Sequence, residues 1–147
     1  MNTKNIAEVV TAQADNYSEK CAAAYLREIA QVARTIQREG DMTNPTASEK
    51  GMERAQEMAL SVEVRSGWAE LMNAEKLTPA EFKILLAWGG PAIRIIGELN
   101  EHGEVIGDSC RIQHQDWGTP WQTLNLGQHG QDALAIFCQS FPFGYWA

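Results

Sequence analysis

The chain has 147 residues, 44% of them hydrophobic and 21% charged, with a formal net charge of −7. That is one domain's worth of chain, long enough to bury about two-thirds of its unfolded surface, and its composition excludes global disorder. The acidic balance argues against a free nucleic-acid ligand, because neutralising phosphates takes clustered Lys and Arg, and no apolar run is long enough to cross a bilayer.

Residues 5–39 read as helix. Ile6, Val10, Tyr17, Cys21, Tyr25, Ile29, Val32 and Ile36 recur at threes and fours and so share one stripe, and the alanines between them add helix propensity. Asn16 followed by Glu19 has capping-box spacing, which predicts a break near Asp15, and Gly40 suits a helix C-cap. After the turn-rich 41–47 segment, Thr46 with Glu49 opens a second helix expected to run to the Asn73 region. Within it Ser61-Val62-Glu63-Val64 alternates like a strand and Gly67 weakens the helix. Two long amphipathic helices on a short link predict an antiparallel hairpin, which either packs its stripe on the sheet or self-associates; a homodimer through these helices is expected. Thr78-Pro79-Ala80-Glu81 then carries an N-cap Thr, Pro at the first helical position and Glu at the third. It predicts a short third helix through Trp88, stopped by Gly89-Gly90-Pro91.

From Ala92 the period turns extended. Residues 92–99 and 104–116 read as two strands joined by Asn100-Glu101-His102-Gly103, and residues 121–126 as a third. Between them Gln115-Asp116-Trp117-Gly118-Thr119-Pro120-Trp121 forms a stiff corner, because Gly118 can take a positive φ and Pro120 keeps Thr119 out of the α region. Residues 127–130 read as a turn and 133–141 as a short apolar helix. The aromatic end, Phe141, Phe143, Tyr145 and Trp146, is expected to fold back onto the sheet, since exposing it forfeits roughly 25 cal/mol per Å². The fold class is therefore α+β in a single 1–147 domain. A helical half (1–77) precedes a half (78–147) made of one helix and an antiparallel β-meander closed by a short helix.

The search for chemistry yields little. Cys21, Cys110 and Cys138 form no Cys-x-x-Cys unit and are expected as reduced, mostly buried thiols. Cys110, His114, His129 and Cys138 have zinc-ligand types, but Cys110 and His114 would stand about 13 Å apart on one strand face, so neither a metal nor a Cys–His dyad is expected. There is no nucleophile elbow, phosphate-binding glycine loop or dinucleotide fingerprint, and no cofactor is predicted. Trp117 and Trp121 read either as core plugs, the favoured reading, or as a stacking platform or interface anchor with Arg94 or Arg111. Asp116 is read as a cap for their turn. Ten of the twelve basic residues lie at or before Lys83, leaving Glu98, Glu101, Glu104 and Asp108 to form an acidic face on the predicted hairpin. Such a face repels nucleic acid and favours a protein partner with a basic surface. The N-terminus, with one cation and no following apolar block, reads as that of a cytoplasmic protein.

The run from Gly89 through Leu99, the Gln115–Trp121 corner and Phe141-Pro142-Phe143-Gly144 resemble small accessory proteins of bacterial phages and conjugative elements, over roughly residues 85–147. The resemblance carries no catalytic signature. It implies a setting in which small acidic proteins inhibit host defence, as anti-CRISPR and anti-restriction proteins do, many by binding alone. The expected function is a non-enzymatic inhibitor acting through its acidic surface. The alternative is a nucleotide or small-molecule binder, or a small enzyme, with its pocket on the aromatic meander.

Overall fold

The computed structural model describes residues 17–38 and 46–143. Helix α1 (Tyr17–Ile36) and helix α2 (Ala47–Met58) come first. Five strands follow: β1 (Ser61–Ser66), β2 (Pro79–Ala87), β3 (Ala92–Glu98), β4 (Arg111–Gln115) and β5 (Gln122–Thr123). Helix α3 (Gln128–Cys138) closes the order. The strands form one antiparallel sheet in sequence order, so the fold is α+β with a meander, as expected. The readings for residues 5–16, the Asn16 cap, Gly40 and the Tyr145–Trp146 tail lie outside the described residues.

Period two decides which side chains go inside. Phe82, Ile84 and Leu86 of β2, Ile93 and Ile95 of β3, and Ile112 of β4 point to one face of the sheet and are buried. The α1 stripe of Ala22, Leu26, Ile29, Ala30 and Ala33 covers that face together with Leu134, Phe137 and Cys138 of α3. The apolar stripe of the described part of α1 is thus used within the chain. The aromatic end does fold back where it is described: Phe143 stacks on Phe82 at 4.5 Å, and Phe141 packs at 5.7 Å from Phe137. Gly97 sits directly opposite Phe82 in the β2–β3 register, and a Cβ there would run into the Phe82 ring.

Five elements differ from the expectation. Residues 79–87 are strand β2, not a helix, so Thr78 is not a helix N-cap. Pro79 stands at the first residue of the strand, where a missing N–H is tolerated as readily as at the first turn of a helix. The Phe82, Leu85, Leu86 spacing competes with the Phe82, Ile84, Leu86 alternation, and pairing with strands on both sides favours the alternation. The second helix stops at Met58 instead of Asn73, because Ser61-Val62-Glu63-Val64 is a strand as its alternation indicated; a short 3₁₀ turn, Leu71–Lys76, follows. Thr46 precedes that helix without a side-chain cap bond. Helix α3 begins at Gln128, inside the expected 127–130 turn, and ends at Cys138. The expected 121–126 strand shrinks to β5, and residues 104–110 join β4 through a single Leu99–Val105 bridge and a 3₁₀ turn, Gly107–Ser109.

Candidate functional site

With the helices on one side, the sheet turns its other face outward. Register fixes what stands there: Glu63 and Arg65 from β1, Glu81 and Lys83 from β2, Arg94, Ile96 and Glu98 from β3, and Arg111 and Gln113 from β4. A concavity of about 490 Å³ opens on this face, with Arg94, Arg111, Lys83 and Glu98 among its lining residues. Four cations and three carboxylates stand on it; between β1 and β2 unlike charges face each other, with Arg65 paired to Glu81 and Lys83 Nζ 3.7 Å from Glu63, whereas Glu81 stands opposite Glu98 of β3. The face is therefore mixed in charge, not acidic.

Trp121, just before β5, falls on the outward side by the same alternation. The Arg94 guanidinium lies over its ring at 4.0 Å, and Arg94 Nε donates to Gln113 Oε1 at 2.8 Å. Partial burial pulls the Arg94 pKa down from its ordinary value, and the group stays charged at any physiological pH. The cation stacked on Trp121 is thus Arg94 of the same chain, not Arg111. Trp117 is not core. It is 90% exposed at the tip of the Asp116–Thr119 turn, where Gly118 takes φ 78° and Thr119 N–H donates to the Asp116 carbonyl at 3.1 Å. The Thr119 hydroxyl, not the Asp116 carboxylate, braces this turn, donating to the Asp116 carbonyl at 2.9 Å and accepting from Asp116 N–H at 3.1 Å.

The Asp116 carboxylate reaches elsewhere. It accepts the Ser18 hydroxyl at 2.9 Å, and the same hydroxyl oxygen lies 2.9 Å from His114 Nδ1. Having given its one proton to Asp116, Ser18 accepts from Nδ1–H. The order is therefore imidazole, hydroxyl, carboxylate, whereas nucleophilic catalysis needs the imidazole in the middle. Ser18 and His114 are 1% and 2% exposed and Asp116 is half-buried, so this trio is a largely buried tie between α1 and the end of β4. Burial lowers the His114 pKa, against the opposing pull of the Glu19 and Asp116 carboxylates.

The predicted acidic residues gather at one end of the sheet. Glu101 and Glu104 sit in the turn after β3, Glu98 at its base and Asp108 in the 3₁₀ turn before β4; all four are exposed. Asn100 organises this turn: its Oδ1 accepts from His102 N–H and Glu104 N–H, each at 2.9 Å, and its Nδ2 donates to Glu104 Oε1 at 3.2 Å. Ser109 Oγ accepts from Glu98 N–H at 2.8 Å and donates to the Ile106 carbonyl at 2.6 Å. From α3, Gln131 Nε2 donates to the Gly107 and Cys110 carbonyls at 2.9 and 3.0 Å. Arg111 turns back onto the Asp108 and Cys110 carbonyls at 2.6 and 2.8 Å. Among the described residues, Glu98, Glu104 and Asp108 form no ion pair, and Glu101 meets only His102, at 3.4 Å.

Cys110 and Cys138 meet in the core as free thiols, and burial raises the Cys138 pKa well above the usual thiol value. Among the described residues no group of three or more His, Cys, Asp or Glu side chains is arranged to hold a metal ion. No described helix is long and apolar enough to cross a membrane. Missed from the sequence were Glu63, Arg65, Glu81 and Lys83, which the helical readings kept off the sheet, and Ser18, a small polar residue in a helical stripe. Comparison with protein-family models, with curated proteins and with solved structures finds no match to this chain.

Proposed function

We propose that this protein works by binding another protein without transforming it, and that the acidic turn between β3 and β4 docks on a basic surface of the partner. The observation that carries this reading is the turn itself. Glu98, Glu104 and Asp108 are exposed, lack ion pairs among the described residues, and stand on a segment braced by Asn100, Ser109 and Gln131. Carboxylates held ready in this way add little ordering cost to association and raise its rate by steering. In its narrower form, supported by the resemblance to accessory proteins of phages and conjugative elements, the partner is a bacterial defence complex whose nucleic-acid-binding surface is covered.

The test is capture from a bacterial lysate on the immobilised chain, followed by binding kinetics with the protein retained. Glu101→Lys/Glu104→Lys should slow association by about tenfold at low salt while leaving the melting temperature nearly unchanged. Equal association rates for the two chains at low salt would remove the acidic turn from the interface. A second reading, a small-molecule or nucleotide site, is favoured by one observation: the 490 Å³ concavity on the outward face, with Arg94 in its wall. A nucleotide that raises the melting temperature, with the rise lost in Arg94→Ala, would support it.

A further inference from the structure

Strand β1 is the first strand of the sheet and, among the described residues, is paired along one edge only, with β2. Every second amide and carbonyl on its other edge points away from the sheet, a template for another strand. Its protections are partial: Ser61-Val62-Glu63-Val64-Arg65-Ser66 contains no Pro and no Lys, its two charges are of opposite sign, and its irregularity lies at the far end, between Arg65 and Ser66. The side of β1 that faces the helix layer is apolar yet only partly covered. Val62 and Val64 are 43% and 40% exposed, Leu60 before the strand is 63% exposed, and Trp68 after it is fully exposed.

We infer that β1 is the site at which a second copy of this chain binds, edge to edge and antiparallel, with Val64 on the two-fold axis. The charge pattern selects that register. A continuous sheet must keep outward residues opposite outward residues, so the axis passes through Glu63, Val64 or Arg65, or through Val62, which sets Glu63 opposite Ser61 and leaves Arg65 beyond the paired residues. The first choice sets two carboxylates face to face and the third sets two guanidiniums. Only the axis through Val64 places Glu63 opposite the partner's Arg65, twice. Each copy already pairs Lys83 with Glu63 and Arg65 with Glu81. The outward row across the junction then reads Lys83, Glu63, the partner's Arg65, the partner's Glu81, alternating in sign throughout. On the opposite side Val64 meets the partner's Val64, and the same numbering brings the partner's Trp68 to the Leu60 end of the strand. The two sheets would join into one of ten strands.

The test uses the full chain in sedimentation equilibrium. The wild type should dimerise. Glu63→Arg and Arg65→Glu should each weaken the dimer by roughly tenfold or more, because two cross-strand attractions become repulsions. Both side chains are largely exposed, so both variants should keep the wild-type circular dichroism. An equimolar mixture of the two variants should recover wild-type affinity, since one chain then carries Arg at 63 and 65 and the other Glu at both. Any cost against Lys83 or Glu81 within a chain is the same alone and mixed, so recovery reports the junction alone. A monomeric wild type, a dimer indifferent to either reversal, or a mixture no tighter than its separate components would overturn the inference.

Discussion

Ser18→Ala is the sharpest probe of how the helical layer is tied to the sheet. The hydroxyl is buried and bonds both His114 Nδ1 and Asp116 Oδ2 at 2.9 Å. Its removal leaves an imidazole N–H that is 2% exposed without that acceptor and takes one donor from a carboxylate. A buried donor stripped of its partner costs about 1–3 kcal/mol, the bond to an ionised acceptor pushing toward the upper end. For a domain of this size that is a fall in Tm of about 3–10 °C. Acid should expose the same tie. Burial holds the folded His114 pKa below that of the unfolded chain, so the unfolded state takes up the proton first. The resulting stability is fully present above the unfolded pKa of about 6.5 and is lost as pH falls through the lower folded value. Urea unfolding of the wild type and His114→Gln at a series of pH values reads this directly. The gap between their stabilities should narrow on acidification below about pH 6.5. Parallel curves, or a Ser18→Ala midpoint equal to that of the wild type, would refute the argument.

Gly97→Ala should cost about 1–3 kcal/mol in urea unfolding, because the Phe82 ring it meets is held against Phe143 and has nowhere to go; Phe82→Leu in the same chain should return part of the loss. Trp117→Ala should change stability by less than about 0.5 kcal/mol, since its indole is 90% exposed. Phe137→Ala, at a fully buried ring, should cost about 3–5 kcal/mol in the same melts.

The elements that could be read from the sequence are those where one period had no rival. Helix α1 carries its stripe for 20 residues, and residues 92–98 alternate β-branched side chains too tightly for a helix. The misread elements are those in which two periods fit. In 79–87, Pro79 and Glu81 match a helix start, while the alternation of Phe82, Ile84 and Leu86 matches a strand. Neighbouring strands settle the choice, and a neighbour is not visible in a nine-residue window. The shortening of β5 has a related cause. Gln122 and Thr123 pair with His114 and Gln113, and the ladder ends with the Leu124 N–H bond to the Ile112 carbonyl at 2.8 Å, where the Leu124 side chain is buried in the core.

The same error redistributes the charge. Counted along the chain, the basic residues crowd into the first half, which made the second half look like an acidic face. Once residues 61–66 and 79–87 are strands, Arg65 and Lys83 stand on the same outward surface as Arg94 and Arg111. The polarity of the molecule therefore runs along the strands. On the open face the ion pairs join β1 to β2, and among the described residues of that face the carboxylate outside an ion pair is Glu98, where β3 turns back toward β4 beside Glu101, Glu104 and Asp108. A partner recognised by charge has to reach that end of the sheet, while a partner recognised by Trp121 and Arg94 has to cover its middle. Reversing Glu101 and Glu104 acts on the first surface and leaves the second untouched, and Arg94→Ala does the converse. The two variants together therefore separate binding at the acidic turn from binding on the open face.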